Sequence, residues 1–539
     1  MELGPLDLAK HFPAVSTATW QRKMLRDVSD PDRLVWSTLE GIRVRALYRA
    51  KDAPHAAPRP GGSRYIREDV RVTSPGEANQ LAQEALRGGS TSVGFVMRCA
   101  PSERGLREMC RGIDATVIPL HFECSSEHAR TLTTWLQVAR SPQSLKGSVS
   151  LDPAARGGGG YAELVDLCKT ADGSNLRTIR IDTEPYHMAG AGPALEMACA
   201  LGITSDVLAR LTASGLDARI IARRIHFVIP VASSYFMAIA KLRALRHLAR
   251  LVFEAYGAIG VQPVIDAVTS VRSQSWLDAE INLVRATTQA MAAVIGCCDS
   301  LRVKPSGTGP DAVRLARSLQ LLLRCEAHLD DVADPAAGSY FVEVLTDKLG
   351  RAAWTRFQAI EADGGFSHAR RKNSLKRDFD TTRRARRENL ATGRRLMIGV
   401  NSVPDLNANP TQESATGRDA EDFEALRLRS RAIAHRLGRR PSALIVPSPE
   451  RSTHTDLARR ALRSAGFTLV EGSPGNTTTD VVAVCLPCPK QWTKHDGEGT
   501  KHAILVSVGG RSLEADHALY PGKSMLPVLH RILDDLDAT

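Results

Sequence analysis

Between about residues 90 and 400, short apolar runs alternate with longer stretches in which apolar residues return every three or four positions. The short runs are Ser92–Met97, Thr116–Phe122, Gly147–Leu151, Thr178–Asp182, Phe227–Val231 and Val264–Val268. Near-continuous apolar character over so few residues marks parallel strands covered by helices on their outer side. The segments between them read as helices. Val313, Leu315, Ala316, Leu319, Leu322 and Leu323 form one stripe at helical spacing, and Gly350 is placed to stop a later helix. Such alternation over roughly 300 residues fits an α/β fold of the (β/α)8 TIM-barrel type better than an open sheet. A second α/β unit follows, with strands predicted at Ala443–Val446, Thr468–Val470, Asp480–Val484 and Ala503–Val508. Thr453 or Thr455 can cap a helix that buries Leu457, Ala458, Ala461, Leu462 and Ala465, with Gly466 ending it. This unit reads as a small doubly wound, flavodoxin-like sheet.

The remaining segments have different compositions. Residues 1–62 read as an extended N-terminal arm, with apolar residues at Leu34-Val-Trp36 and a Pro/Gly-rich passage, Ala57-Pro-Arg-Pro-Gly-Gly62. An arm with so little core of its own is built to lie on another surface. The barrel is expected over residues 63–400, a linker with a charged helix over 401–440, and the second α/β unit over 441–539. Hydrophobic residues make up 43% and charged residues 24%, as in globular proteins. No apolar run approaches the roughly 18 residues that span a bilayer, and no basic-then-apolar leader is visible, so a cytoplasmic protein is expected. Ten cysteines are scattered. The CxxC at Cys485–Cys488 lacks a second ligand pair, so buried reduced thiols are expected in place of a metal site.

Net charge is +12, and nine Lys or Arg lie between Arg370 and Arg387 against Asp378 and Asp380. A block like this can bind nucleic acid. With no aromatic RNA-binding motif or zinc-finger spacing beside it, a solvated helix face is the expected reading.

Several segments resemble one family, the methylmalonyl-CoA mutases. Val332-Ala-Asp-Pro-Ala-Ala-Gly-Ser-Tyr-Phe-Val-Glu343 is similar to its DPxxGSxxxE segment, and Arg314–Gln320 to its RIARNTQ helix. Gln289–Gly296 resembles EAMAAVFGG, Phe236 with Ile239–Arg246 resembles FFxEIAKxRAAR, Glu40–Tyr48 resembles EGIxVxPLY, and Ile398–Asn401 resembles ITGVN. The six matches are collinear over residues 34–401.

The resemblance implies a radical rearrangement between methylmalonyl-CoA and succinyl-CoA carried by adenosylcobalamin. It also implies three requirements. The first is the family's DxHxxG cobalt site, represented here by Ser452-Thr-His454-Thr-Asp-Leu457. His454 stands at the ligand position as an exposed helix-start residue, but Ser452 replaces the orienting Asp and Leu457 the Gly. Cys485-Leu-Pro487 replaces the family's SxL, while Gly509-Gly510 keeps its GG. The second is the acyl-CoA site. Asp69 occupies the position of a substrate Tyr, and Gly147–Pro153 resembles the GSLGxDP turn of the family's small subunits. Asp266–Val271 likewise resembles their AVTSWR form. Tyr186-His187 keeps the catalytic chain's YH pair, read here as inherited packing. The third is an open channel through the barrel, whereas strands rich in Val, Ile, Leu, Phe and Met predict a filled one.

The expectation is therefore a non-catalytic small (β) subunit with a degenerate cobalamin-binding-like domain. No catalytic, cofactor-binding or metal-binding residue is assigned to this chain. Adenosylcobalamin is expected in a partner large (α) subunit within a heterodimer, with no nucleic acid and no membrane among its partners. Two alternatives stay open: a self-sufficient mutase with a divergent site at His454, and a regulatory or nucleic-acid-binding protein acting through Arg370–Arg387.

Overall fold

The computed structural model describes residues 14–28, 30–54, 64–124, 127–139, 141–155, 160–410, 416–448, 452–472, 479–485, 503–510 and 515–538. Eight parallel strands close into a barrel: β1 (Tyr65–Arg71), β2 (Ser92–Met97), β3 (Leu120–Cys124), β4 (Gly147–Leu151), β5 (Arg177–Asp182), β6 (Ile225–Val231), β7 (Ile265–Thr269) and β8 (Ser300–Arg302). Each pairs with its neighbour in sequence, and Ser300–Arg302 against Tyr65–Arg67 completes the ring. Outward residues such as Val93, Phe95, Phe122, Ile179, Ile181, Phe227 and Ile229 pack under the helical layer in one core. That burial is the main drive for the fold.

Two strands, β1 and β8, were not anticipated. Tyr65-Ile-Arg-Glu-Asp-Val-Arg71 carries four charges, and β8 has only three residues.

In the helical layer, α1 (Pro193–Ala213), α2 (Tyr235–Ala255) and α3 (Tyr340–Ala362) pack closely together. Gly350 does not end a helix. It lies within α3, facing Ala244 on α2, where an added Cβ would make an ordinary 3.7 Å contact. The segments that carry the family resemblance lock this layer. Arg243 on α2 is wholly buried and pairs with both Asp334 and Glu343 of the DPxxGSxxxE-like segment. Arg317 reaches Glu68 on the outer side of β1 at 2.8 Å.

The arm is not wholly extended. Ser16 accepts a hydrogen bond from the Thr19 backbone at 3.1 Å and starts a helix over Thr17–Asp27, none of whose residues is buried. A short antiparallel pair, Trp36–Ser37 with Arg43–Val44, follows, and Tyr48 then packs against Phe341. The Pro/Gly passage Ala57–Gly62 lies outside the described residues.

The basic block also differs from expectation. It forms the end of a short helix, Phe366–Arg371, and most of α4 (Ser374–Ala391). Arg371, Lys372, Lys376, Arg377 and Arg384 are exposed, but Arg386 is buried and donates to the Gly190 carbonyl at 2.8 Å and to Asp419 at 3.3 Å. Arg387 pairs with Asp422 through two bonds of 2.8 and 2.5 Å. One side of the block is thus a seam between the barrel and the segment after it.

That segment is more than a linker. Helix α5 (Glu421–Leu437) buries Phe423, Leu426 and Ile433 in the C-terminal core, joined there by Leu390 at the end of α4. The C-terminal sheet contains β9 (Ser442–Val446), β10 (Thr468–Glu471), β11 (Val481–Cys485), β12 (Ile504–Val508) and β13 (His517–Leu519), all parallel in the order 2-1-3-4-5. This is the flavodoxin-like order. Helix α6 (Ser452–Ser464) buries Leu457, Ala458, Ala461 and Leu462, beginning one residue before Thr453.

Replacing Arg243 with Ala would strand two buried carboxylates. It should lower unfolding free energy by about 3–5 kcal/mol, read as a shift in the urea midpoint.

Candidate functional site

Strand alternation turns one residue in two toward the barrel axis, and hydrogen bonds between non-adjacent strands identify which. Arg67 on β1 reaches Glu123 on β3 at 2.5 Å, and Arg180 on β5 reaches the other Glu123 oxygen at 2.8 Å. Arg302 on β8 pairs with Asp69 and lies 3.5 Å from Glu123. Arg67 also binds Asp69 at 2.8 Å, and Arg180 binds Asp182 at 2.6 Å. Three guanidinium groups and three carboxylates therefore interlock across the lumen.

Below them, His226 on β6 bridges Asp266 on β7 at 2.6 Å and Ser150 on β4 at 3.0 Å, and His121 bonds Ser148 at 2.9 Å. Gly94 makes room for the plug: a Cβ there would lie 2.1 Å from an Asp69 oxygen and 2.8 Å from the Arg67 guanidinium. The lumen is filled, as the composition predicted, but by charge where Val, Ile and Leu were expected.

Electrostatics keep this arrangement ionised. Burial opposes charge on Asp69, but Arg302 and Arg67 hold its carboxyl below the usual value. Burial opposes ionisation of Glu123 as well, and Arg180, Arg67 and Arg302 together hold it well below. Asp69 is thus the partner of two arginines. Burial, followed by the nearby Arg67 charge, pushes His121 down to about 3, so its ring is neutral.

The retained Tyr-His pair sits beside the lumen at the C-terminal end of the strands. His187 is 1% exposed, and both ring nitrogens are taken: Nδ1 by Glu196 and Nε2 by Ser270, each at 2.6 Å. Glu196 also binds Lys241 at 2.7 Å, and the Gln289 side chain accepts from the Ser270 backbone at 3.0 Å. Burial first, then the Arg272 charge, lowers His187 to about 3. Tyr186 packs between Phe366 and Phe379. No imidazole nitrogen is left to meet a thioester carbonyl.

In the C-terminal unit, His454 is buried, not exposed as its helix-start position suggested. Its ring lies on Gly509 so closely that a Cβ on that glycine would fall 2.2 Å from ring atoms. Ser452, in place of the orienting Asp, is exposed, and Leu457 fills the core where the family's Gly gives room. These residues do not fit the nucleotide tail of a cobalamin. Cys485 ends β11, while Leu486, Pro487 and Cys488 lie outside the described residues. No cluster of three or more metal-ligating side chains occurs among the described residues, and no helix there is long and apolar enough to cross a membrane.

Fold and lumen together define a TIM-barrel protein with a flavodoxin-like C-terminal unit and an ion-plugged axis. A family model for methylmalonyl-CoA mutase matches residues 161–436, and the chain belongs to that family. The methylmalonyl-CoA mutase small subunit of Porphyromonas gingivalis is 30% identical, over 86% of this chain and 84% of its own. The small subunit of Streptomyces virginiae is 31% identical over 84% and 82%. By contrast, the methylmalonyl-CoA mutase of Rhizobium meliloti matches at 31% over 43% of this chain and 34% of its own.

Sequence reasoning missed Arg67, Glu123, Arg180 and Arg302 as one group. The available signal was their polar spacing: Arg67/Asp69, His121/Glu123 and Arg180/Asp182 each stand two apart on a strand.

Two outcomes test this description. Glu123→Gln removes the charge that faces three arginines and should cost about 3–5 kcal/mol in urea unfolding. Asp152, just above β4, is raised by burial to about 7. Its contribution to stability is present below the unfolded value near 4 and is lost as pH rises through about 7. Asp152→Asn should therefore be more stable than the wild type, and its advantage should widen by about 2 kcal/mol between pH 5 and pH 8.

Proposed function

We propose that this chain is the non-catalytic small subunit of a heterodimeric, adenosylcobalamin-dependent methylmalonyl-CoA mutase. On this reading the large subunit binds the corrinoid and the CoA ester, and this chain stabilises it. The observation that carries the reading is the ion plug. An acyl-CoA could enter the barrel axis only by displacing Arg67, Glu123, Arg180 and Arg302, whose separation from one another would leave buried charges unpaired at several kcal/mol each.

Three further features support it. The imidazole of His187 is consumed by Glu196 and Ser270. The surroundings of His454 are closed by Leu457 and Gly509. The Porphyromonas gingivalis and Streptomyces virginiae relatives, matched over 84% and 82% of their own length, carry the name small subunit.

The arm supplies a means of pairing. Val15, Leu25, Leu34, Trp36, Leu39 and Leu47 are exposed on it, a run of large apolar side chains suited to an extended contact with another chain.

Co-expression with a methylmalonyl-CoA mutase large subunit should yield a 1:1 complex on size-exclusion chromatography. The isolated chain should leave the visible spectrum of adenosylcobalamin unchanged and show no mutase turnover. A stoichiometric spectral shift with turnover by this chain alone would overturn the proposal.

A further inference from the structure

Buried arginines in this chain have partners. Arg67, Arg243, Arg386 and Arg418 meet carboxylates, and Arg224 and Arg272 donate to backbone carbonyls at 2.6–2.9 Å. Among the described residues, Arg427 on α5 is the exception. It is 2% exposed, and its Nε, Nη1 and Nη2 all lack a hydrogen-bond partner. Buried polar groups are almost always paired, and an exception points to a bound water or ion.

The carboxylates near Arg427 are committed elsewhere. The charged groups that act on it most strongly are Glu424, Arg431, Asp278 and Asp405. Glu424 is bound by Arg418 at 2.8 and 2.6 Å, and it also accepts from the Ser275 hydroxyl and the Trp276 backbone. Asp278 accepts from the Ile281 backbone at 3.1 Å and caps the helix Ala279–Ile295. Asp405 is exposed and accepts from the Asn407 backbone at 2.9 Å. Arg431 adds a second positive charge, and its guanidinium donates to the Leu406 and Ala408 carbonyls. Burial lowers Arg427 to about 10, so the side chain keeps its charge at neutral pH.

A buried charge with neither hydration nor counter-charge is strongly unfavourable. Water would satisfy the N–H groups and leave the charge uncompensated, whereas an anion does both. Enclosure selects among anions. An ion surrounded by protein must shed its hydration, and that costs a monovalent halide less than a doubly charged sulfate or phosphate.

We propose that Arg427 binds a buried halide ion of the chloride class, in the seam between the C-terminal unit and the barrel. On one side is Gly466 of the C-terminal unit, where an added Cβ would lie 3.8 Å from the Arg427 stem. On the other is Asp278, which starts a helix of the barrel layer. The ion thus fastens one unit to the other. The inference goes beyond the subunit role and does not depend on it.

The test uses the full chain in halide-free sodium gluconate, melted at constant ionic strength as chloride or bromide replaces gluconate. The melting midpoint should rise by about 2 °C or more and saturate. Arg427→Met, which keeps an unbranched stem without the charge, should melt at one midpoint in all three salts. A crystal of the full chain soaked in bromide should show an anomalous peak within hydrogen-bonding distance of the guanidinium. No halide dependence in the wild type, an equal dependence in folded Arg427→Met, or a crystal with no bromide at Arg427 would overturn the proposal. Should Arg427→Met not fold, the bromide crystal decides alone.

Discussion

Glu123 is the centre on which the barrel interior depends. It is the single carboxylate that meets Arg67, Arg180 and Arg302, and these come from β1, β5 and β8 while Glu123 comes from β3. Opposite charges in a site without water attract strongly, but each also loses its hydration, so a buried ion pair gains only when every member is satisfied. That condition explains the neighbours. Asp69 takes the second faces of Arg67 and Arg302, Asp182 takes that of Arg180, and Gly94 withdraws its side chain to leave room. A hydrocarbon filling could also close a barrel of this size. The charged filling additionally fixes which strand faces which, because a shift by one residue would turn Arg67 or Glu123 into the apolar helical layer.

Outside the lumen the same logic recurs. Arg243 joins α2 to the segment around Asp334 and to Glu343 on α3, while Lys241, two residues earlier, joins α2 to Glu196 on α1. Through Glu196 this second group reaches His187, and through His187 it reaches Ser270 at the end of β7. The motifs that signal the family are therefore, in this chain, contacts that hold helices to strands. Their presence does not require that chemistry be performed nearby.

This separates what the sequence made legible from what it did not. Apolar runs such as Ser92–Met97 and Gly147–Leu151 were readable because the outward half of each strand faces helices. Strands β1 and β8 were not, since their inward residues are Arg67, Asp69 and Arg302, and charge breaks the apolar signature by which a buried strand is recognised. The partner that makes those charges tolerable lies more than fifty residues away, beyond any local pattern. His454 failed for a related reason: position at a helix start suggests exposure, but the ring is covered by Gly509, just after the distant strand β12. In the basic block, period and composition could not separate Arg384, which faces water, from Arg386, which faces Asp419.

Loss of an axial channel has a structural consequence for a protein built on this fold. A barrel that admits a ligand along its axis must leave polar groups for that ligand to satisfy, and such a site is a cost to the empty protein. Here Arg67, Arg180 and Arg302 are satisfied from within, and the imidazole of His187 is satisfied by Glu196 and Ser270. The interior thus needs no ligand to be complete. What stays open to a partner includes the apolar side chains exposed along the arm. On the proposed reading, the chain's remaining capacity for recognition has moved from its axis to its surface, where the arm calls for an apolar occupant.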